Sequence, residues 1–241
     1  MLFPFLEKKY CLLDRQVFNG YVDWHSHILP GVDDGIHTMQ DALDVLSYYE
    51  QIGIKEVWLT PHILEDMPNT TANLRQRFWE LNASYSGSIQ LHLAAENMIC
   101  NLFQQRLASN DVLPIGERQD HLLIEFSCLQ PPVGVISTIK KIQDKGYMPI
   151  LAHPERYGYM EISDYELLKR EGCKLQLNMI SLVGYYGNSV MNKAQKILSL
   201  GLYDISGSDL HDLGHFINGI TDKQLKKDIV DHIRTLSHRT L

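Results

Sequence analysis

Two histidines, and two aspartates that follow the second of them by six and seven positions, are residue types that bind metal ions and stand in YVDWHSHILPGVDDG, residues 21–35. Side chains two positions apart on a strand point to the same face, so His25 and His27 can bind one ion together. Glycines in the following PGVDDG turn allow the backbone to fold back, which brings one carboxylate towards the histidines. We expect Asp34 to be that ligand and Asp33 to remain in solvent.

Further residues of these types stand where other predicted strands end. The predicted strands are the apolar or β-branched runs YVDWHSH, KEVWLTPH, IQLHLAAEN, HLLIEFS, YMPILAHP, CKLQLN and LYDISGSDLH. A single histidine at a strand end is usually an ordinary hydrogen-bonded residue. So many ionisable groups at one rim, however, would lose hydration and repel one another without a cation. The sequence therefore predicts a metal centre with the ligands His25, His27, Asp34, His62, Glu96, Glu125, His153, Asp209 and His211.

The composition of this ligand set indicates both the metal and the chemistry. The set exceeds the needs of one ion, so we expect two to three divalent ions, and mixed imidazole and carboxylate ligands favour Mn²⁺, Fe²⁺ or Zn²⁺. Arg156 lies at the same rim in LAHPERYGY, where its guanidinium could hold phosphate oxygens. A salt bridge with Glu155 or another nearby acid is the alternative for Arg156. Metal ions beside a phosphate-binding arginine predict phosphoester hydrolysis.

The elements between these runs indicate how the ligands are brought together. Segments of helical periodicity such as TMQDALDVLSYYEQIG, PPVGVISTIKKIQDKG and SVMNKAQKILSLG separate the strands. Alternating strands and helices predict parallel strands joined by right-handed crossovers, in an open sheet or a closed barrel. Because a barrel brings the carboxyl ends of all its strands to one rim, we expect an α/β barrel. No linker, repeat or low-complexity tract divides the chain after the first residues.

Composition restricts the function classes and the compartment. The chain has 241 residues and no run as long and apolar as a membrane span, and its start lacks the order of a signal peptide. The cysteines, at positions 11, 100, 128 and 173, are widely spaced, which is typical of reduced thiols in a cytoplasm. A net charge of −7 argues against nucleic acid as the main partner. We expect a cytoplasmic protein without membrane insertion.

The strings DWHSHILPGVDDG, TPH, AAEN, LIEFS, LAHPERY and GSDLH, in this order, resemble the PHP (polymerase and histidinol phosphatase) superfamily. Within it, the sequence is most similar to the metal-dependent tyrosine-protein phosphatases of bacterial capsule and exopolysaccharide operons. The resemblance implies a distorted (β/α)7 TIM-like barrel in residues 21–241, a single PHP-type domain that follows a leader of residues 1–20. It also implies a trinuclear, often manganese, centre held by the same nine residues.

The resemblance implies a substrate and roles as well. It implies hydrolysis of phosphotyrosine on the tail of a bacterial tyrosine autokinase that controls polysaccharide synthesis and export. Arg156, Asp209 and His211 are then the residues expected to act in catalysis. Two alternatives stay open: a PHP phosphatase for a small phosphomonoester such as histidinol phosphate, and a non-catalytic metal-binding adaptor. Net charge disfavours a nuclease module of the superfamily.

Two other features bear on the substrate. CNLFQQR has the cysteine-to-arginine spacing of thiol-based tyrosine phosphatases, but it lacks the small residues that let backbone amides surround a phosphate. A thiolate mechanism at Cys100 is therefore not expected. The segment MISLVGYYGNSVMNKAQ matches the family less well and follows the sixth predicted strand. Four tyrosines could stack on a phosphotyrosine ring, although simple packing is the better expectation for them: Tyr157, Tyr159, Tyr185 and Tyr186.

Overall fold

Strands and helices alternate along the chain, of which the computed structural model describes residues 8–222, 225–236 and 239–241. The strands are β1 Val22–Ser26, β2 Glu56–Leu59, β3 His62–Ile63, β4 Gln90–Leu93, β5 Glu96–Met98, β6 His121–Glu125, β7 Met148–Ala152, β8 Lys174–Asn178 and β9 Ile205–Gly207. The helices are α1 Met39–Ile52, α2 Thr71–Ser84, α3 Asn101–Ser109, α4 Val135–Asp144, α5 Ile162–Arg170, α6 Asn188–Ser199, α7 Leu213–Thr221 and α8 Lys227–Leu236. Short 3-10 helices occupy Asp14–Gln16, Pro154–Arg156 and Met179–Val183.

The strands pair in parallel, as their alternation with helices predicts. The hydrogen-bonded orders are β1-β2-β4 and β3-β5-β6-β7-β8-β9. The segment after β9 returns to β1, where the His27 amide donates to the Leu210 carbonyl at 3.0 Å and the Asp209 amide to the His25 carbonyl at 2.8 Å. The fold is thus a mixed α/β structure with a curled parallel sheet, and each predicted strand run forms at least one strand.

Helix α1 illustrates how local sequence determines an element. The Thr38 side chain accepts a hydrogen bond from the Asp41 amide at the helix start, and Gly53 ends the helix in the left-handed conformation. Ala42, Leu46 and Tyr49, which the periodicity places on one face, are fully buried against the sheet. The predicted helix is confirmed, and its buried face is the apolar one.

The two faces of the sheet pack against different clusters of buried residues. Leu122 and Ile124 of β6 belong to the main core that packs the helices, whereas Leu123 belongs to a second cluster with the stacked rings of Trp24 and Trp58. Because alternate strand residues point to opposite faces, the second cluster lies on the face away from the helices. Glu125 is in phase with Leu123. The side chain of Glu125 is therefore directed to the same side as this cluster, at the carboxyl end of β6.

The predicted leader of residues 1–20 is partly described, since residues 1–7 lie outside the described residues. In the remainder, Leu12, Val17 and Phe18 are fully buried in the main core, and Tyr10 forms an antiparallel bridge with Leu225. This part of the segment packs on the rest of the chain through apolar contacts. None of the described helices is long and apolar enough to cross a membrane.

A close backbone approach holds β9 against β1. A Cβ atom added at Gly207 would lie 2.5 Å from the Cβ atom of His25 and 2.7 Å from its amide nitrogen. No side chain fits there unless one strand moves, so glycine is required for the two strands to place His25 beside Asp209.

We predict that Gly207→Ala lowers the free energy of unfolding by about 1–3 kcal/mol, because the added methyl group forces β1 and β9 apart. Urea denaturation measures the change. The control is Gly158→Ala, where no heavy atom lies within 4 Å of the added Cβ atom, and which should change stability by less than about 0.5 kcal/mol. Equal stability of the two variants would contradict the close approach.

Candidate metal centre

The structure brings together the side chains of all nine predicted ligands at the carboxyl ends of the strands. Their nitrogen and oxygen atoms form three groups, and within each group all these atoms lie within 4.8 Å of one another. The groups are His27, Asp34, His62 and His211; His25, Glu96, His153 and Asp209; and His62, Glu96 and Glu125. Because His62 and Glu96 each belong to two groups, the three groups form one continuous cluster.

The cluster runs from a buried interior to an open rim. In the second group, His25 and Glu96 are fully buried, and His153 and Asp209 are almost so. At the rim, the side chain of His211 is 29% exposed and that of Asp34 is 65% exposed. Any group bound at the deep end is screened from water, whereas a substrate can reach the rim.

The first two histidines have their Nε2 atoms directed at each other. Nδ1 of His25 lies 3.0 Å from Oε1 of Gln176, and Nδ1 of His27 lies 2.8 Å from Oδ2 of Asp33. These oxygens can only accept, so each Nδ1 carries a proton and donates it. The two Nε2 atoms, 3.0 Å apart, then face one another with Oε2 of Glu96 only 3.2 and 3.3 Å away.

Several buried oxygens have no hydrogen-bond donor among the described residues. Three of them, Oε2 of Glu96, Oε1 of Glu125 and Oδ1 of Asp209, are directed into the cluster. A buried acceptor without a donor costs about 1–3 kcal/mol, and more when it is charged. Cations placed among these oxygens and the imidazole lone pairs would remove that cost, so the residues fit a group of divalent ions.

Protons take the place of cations when no ion is bound. Burial disfavours the charged form of His62, but the neighbouring carboxylates of Glu96 and Glu125 raise its pKa to about 10. Burial likewise opposes ionisation of Asp209, yet the imidazoles around it, His25 first, hold its pKa well below the usual range. The cluster therefore favours carboxylates that stay ionised and imidazoles that take up positive charge.

The turn that follows β1 differs from expectation at Asp33. The prediction that this residue remains in solvent is wrong: its buried carboxylate accepts from Nδ1 of His27 at 2.8 Å and from the His62 amide at 3.1 Å. Gly35 packs so closely on His27 that any Cβ atom would collide with it, and this contact turns Asp33 inward. Asp34 lies at the rim, 3.6 Å from Nε2 of His62 and 3.5 Å from that of His211.

Arg156 is bound to the cluster through Asp209. Its guanidinium donates to Oδ2 of Asp209 at 2.9 Å and packs over the ring of Tyr186, 4.6 Å from the centroid. The amide of Asn178 donates to the same Oδ2 at 2.7 Å. Glu155, the other partner considered for Arg156, is buried and accepts from the Asn178 backbone amide instead. One oxygen of Asp209 thus holds Arg156, and the other faces the histidines.

Two of the nine residues have a strained backbone. His153 and Asp209 have φ angles of 33° and 51°, in the left-handed region that side chains other than glycine seldom adopt. His153 directly follows β7, and Asp209 lies close after the end of β9. At each position the chain reverses, which directs the side chain into the cluster. Such strain costs about 1–3 kcal/mol and is typical of functional sites.

Sequence reasoning missed three residues that hold ligands in place: Asp33, Gln176 and Asn178. Gln176 contacts Nδ1 of His25, and Asn178 donates to Asp209. A signal existed in the sixth predicted strand, CKLQLN, which carries none of the nine predicted ligands but places two amide side chains two positions apart on one face. Because that face points into the cluster, both amides reach ligand residues.

The Cys100 and Arg106 pair lies outside the cluster and forms no phosphate-binding loop. Cys100 precedes helix α3, and the buried guanidinium of Arg106 donates to the carbonyls of Asp111 and Asn69 at 3.1 and 2.8 Å. The guanidinium is therefore occupied by backbone oxygens of the chain itself.

Comparison with known proteins identifies the family. Residues 21–222 match the family described as capsular polysaccharide synthesis, CpsB/CapC. The chain is 27% identical to CapC of Staphylococcus aureus over 199 residues, covering 80% of this chain and 77% of that protein. It is 28% identical to the tyrosine-protein phosphatase YwqE of Bacillus subtilis over 199 residues, covering 80% of this chain and 78% of YwqE.

A solved structure shares the fold. It belongs to a study of YwqE from Bacillus subtilis and CpsB from Streptococcus pneumoniae, described there as metal-dependent tyrosine phosphatases. It matches this chain with a TM-score of 0.76 at 24% identity, covering 91% of this chain and 95% of that one. Since the family match spans most of the sequence, this chain belongs to the CpsB/CapC family of capsular polysaccharide synthesis.

Proposed function

We propose that the protein is a metal-dependent protein-tyrosine phosphatase that acts on the phosphotyrosine tail of a bacterial tyrosine autokinase in capsule and exopolysaccharide synthesis. The observation that carries the proposal is the cluster of nine metal-binding side chains with donorless buried oxygens, next to Arg156. The tyrosine-protein phosphatase YwqE, a relative over four-fifths of the chain, supports the same activity. Four free cysteines fit a cytoplasmic location.

The nine residues would hold two to three divalent ions among the three groups of the cluster. Imidazole and carboxylate ligands without a thiolate favour Mn²⁺, with Fe²⁺ or Zn²⁺ as the other candidates. Glu96 and His62 belong to two groups each, so the ions would occupy neighbouring sites. The ions, when bound, supply an activated water and positive charge for the phosphoryl oxygens.

We also propose the number of strands in the sheet and its closure into a barrel. β2 and β3 are separated only by Thr60 and Pro61, and β4 and β5 only by Ala94 and Ala95. Counting each pair as one interrupted strand gives the seven strands of a distorted (β/α)7 TIM-like barrel, a single domain over residues 21–241. The parallel bridge between Ser26 and Leu210 supports closure of that barrel.

The protein's own groups have separate roles in the reaction. Arg156 would donate its N–H groups to the phosphoryl oxygens, and its contacts with Asp209 and Tyr186 fix the guanidinium in place beforehand. Nδ1 of His211 donates to the Asp209 carbonyl at 2.9 Å, which leaves Nε2 of His211 as an ion ligand at the rim. The departing phenol has a pKa of about 10, so its oxygen needs little help from an acid.

We predict that Asp33→Ala weakens Mn²⁺ binding by about 10- to 100-fold, because His27 loses the carboxylate that fixes its ring and its tautomer. Isothermal titration calorimetry on metal-stripped protein measures the affinity. Asp144→Ala, which removes an exposed carboxylate at the end of α4, is the matched control and should bind as wild type does. Unchanged affinity in Asp33→Ala would show that this carboxylate does not support the centre.

We also predict that Mn²⁺ binding near neutral pH releases protons and becomes tighter as the pH rises. His62, with a pKa of about 10 in the metal-free protein, holds a proton at neutral pH that an ion must displace. Titrations in two buffers of different ionisation enthalpy should give different binding enthalpies, in proportion to the protons released. Identical enthalpies would mean that the imidazoles are already neutral.

The activity is tested with metal-stripped protein, with and without restored Mn²⁺, on a phosphotyrosine peptide and on histidinol phosphate. We expect Mn²⁺-dependent phosphate release from the peptide, in preference to histidinol phosphate. Arg156→Ala should lower kcat/KM by about 100-fold or more, since it removes the fixed donors to the phosphoryl oxygens. Cys100→Ser is the control for a thiolate mechanism and should retain wild-type turnover.

Each of the other outcomes supports an alternative function or mechanism. Preference for histidinol phosphate would indicate a phosphatase of small metabolites, and binding of Mn²⁺ without turnover of either substrate would indicate an adaptor. Inactivity of Cys100→Ser would overturn the metal-dependent mechanism.

A further inference from the structure

A small pocket opens beside the metal centre and combines two kinds of lining. Its volume is about 230 Å³. On the polar side, it is lined by Arg156 together with the cluster residues Asp34, Asp209 and His211. Its carbon-rich lining comes mainly from Ile180, Tyr185, Tyr186 and Phe216. A phosphate ester held by Arg156 would therefore have an aromatic surface next to the group that carries the phosphate.

The four tyrosines near the site are not equivalent. Tyr157 is fully buried, and its hydroxyl donates to the Ala152 carbonyl. Tyr159 donates to the Ser127 carbonyl and faces a different cavity, next to Phe126. Tyr186 is covered by Arg156. Tyr185 lines the same pocket as Tyr186, but it is 45% exposed, which leaves ring surface available for a ligand.

The ring of Tyr185 is held in place although it is exposed. It meets Tyr186 edge to face, with centroids 4.9 Å apart and planes at 90°, and its hydroxyl lies 3.0 Å from Nδ1 of His215 at the start of α7. Two glycines with positive φ angles, Gly184 and Gly187, bracket the two tyrosines between the 3-10 helix and α6. An aromatic side chain fixed before binding loses little conformational entropy when a ligand packs on it.

A continuous chain of contacts links this ring to the phosphate-binding group. Tyr185 packs on Tyr186, Tyr186 lies under the guanidinium of Arg156, and Arg156 is paired with Asp209 of the metal cluster. A ligand that contacts both Arg156 and Tyr185 must carry its phosphate on a group that is itself flat and apolar. Aryl phosphates meet this requirement, and alkyl phosphates such as phosphoserine do not.

We propose that Tyr185 is a specificity-determining residue that packs against the aromatic ring of an aryl phosphate ester whose phosphate is held by Arg156 and the metal centre. The inference rests on the proposed function and deepens it, since it assigns the preference for phosphotyrosine over phosphoserine to one side chain. The hydroxyl of Tyr185 serves only to hold the ring through His215. The selective contact is made by the face of the ring.

Binding of two non-hydrolysable probes to the Mn²⁺-loaded full chain tests this role without relying on turnover. Phenylphosphonate carries a ring and methylphosphonate does not, while both offer the same phosphonate group to Arg156 and the ions. Calorimetric titration of wild type should show tighter binding of phenylphosphonate. Tyr185→Ala should reduce that preference by about five- to tenfold, the effect expected for loss of one ring-to-ring contact.

Two further variants separate the ring from other effects. Tyr185→Phe keeps the ring and loses only the hydroxyl contact with His215, so it should retain the preference for phenylphosphonate. Trp79→Ala removes an aromatic side chain that is 66% exposed on α2 and does not line the pocket, and it should behave as wild type. Equal weakening of both phosphonates in Tyr185→Ala, or no change in either, would overturn the inference.

Hydrolysis of a phosphotyrosine peptide and of a phosphoserine peptide of the same sequence completes the test. Comparing each variant with wild type on one substrate cancels the difference between the two leaving groups. A loss in kcat/KM for Tyr185→Ala that is at least five times larger on phosphotyrosine supports the subsite. If wild type cleaves neither peptide but Tyr185→Ala still loses the phenylphosphonate preference, the proposed function falls and the aryl subsite stands.

Discussion

The crowding of buried imidazole and carboxylate groups is the constraint on which the site and much of the fold depend. A parallel sheet brings the carboxyl ends of its strands to one edge, and here those ends carry nine imidazole and carboxylate side chains. Unsupported, these groups would rotate away from one another or towards water. They are held instead by partners behind them, such as Gln176 behind His25 and Asp33 behind His27. Each partner fixes a tautomer, so that the free lone pair of the ring points inward.

The same requirement explains contacts that lie further from the cluster. His25 and Asp209 must stay adjacent although they are far apart in sequence, and the buried carboxylate of Asp23 joins their two segments. It accepts from the Ser208 amide at 2.7 Å and from the Tyr49 hydroxyl at 2.9 Å. Burial raises the pKa of Asp23, and these hydrogen bonds oppose the rise. Helix α1 thereby contributes to the position of the cluster, although it supplies no ligand.

Much of the strand pattern, the helix α1 and the residues of the cluster could be predicted from the sequence because each depends on local periodicity and on the residue type at a strand end. The buried position of the Asp33 side chain could not be predicted, since its direction follows from the contact of Gly35 with His27. That contact exists only in the folded chain. The left-handed backbone of His153 and Asp209 leaves no mark in the sequence either. Two predicted strands are each divided by a break, and one break contains Pro61, which has no amide hydrogen to donate.

Different parts of the chain carry the chemistry and the choice of substrate. The strand ends hold the metal-binding residues, and one connecting segment lines the adjoining pocket. The chain between β8 and α6 supplies none of the nine cluster residues, yet it provides Ile180, Tyr185 and Tyr186 to the adjoining pocket. Changes in this segment can alter the shape of the pocket while the strands keep the cluster intact. Within this segment, Tyr186 joins the two functions, because its ring supports the guanidinium that pairs with Asp209. Substitution there would disturb phosphate binding and the metal centre together, whereas its neighbour Tyr185 is free to vary with the substrate.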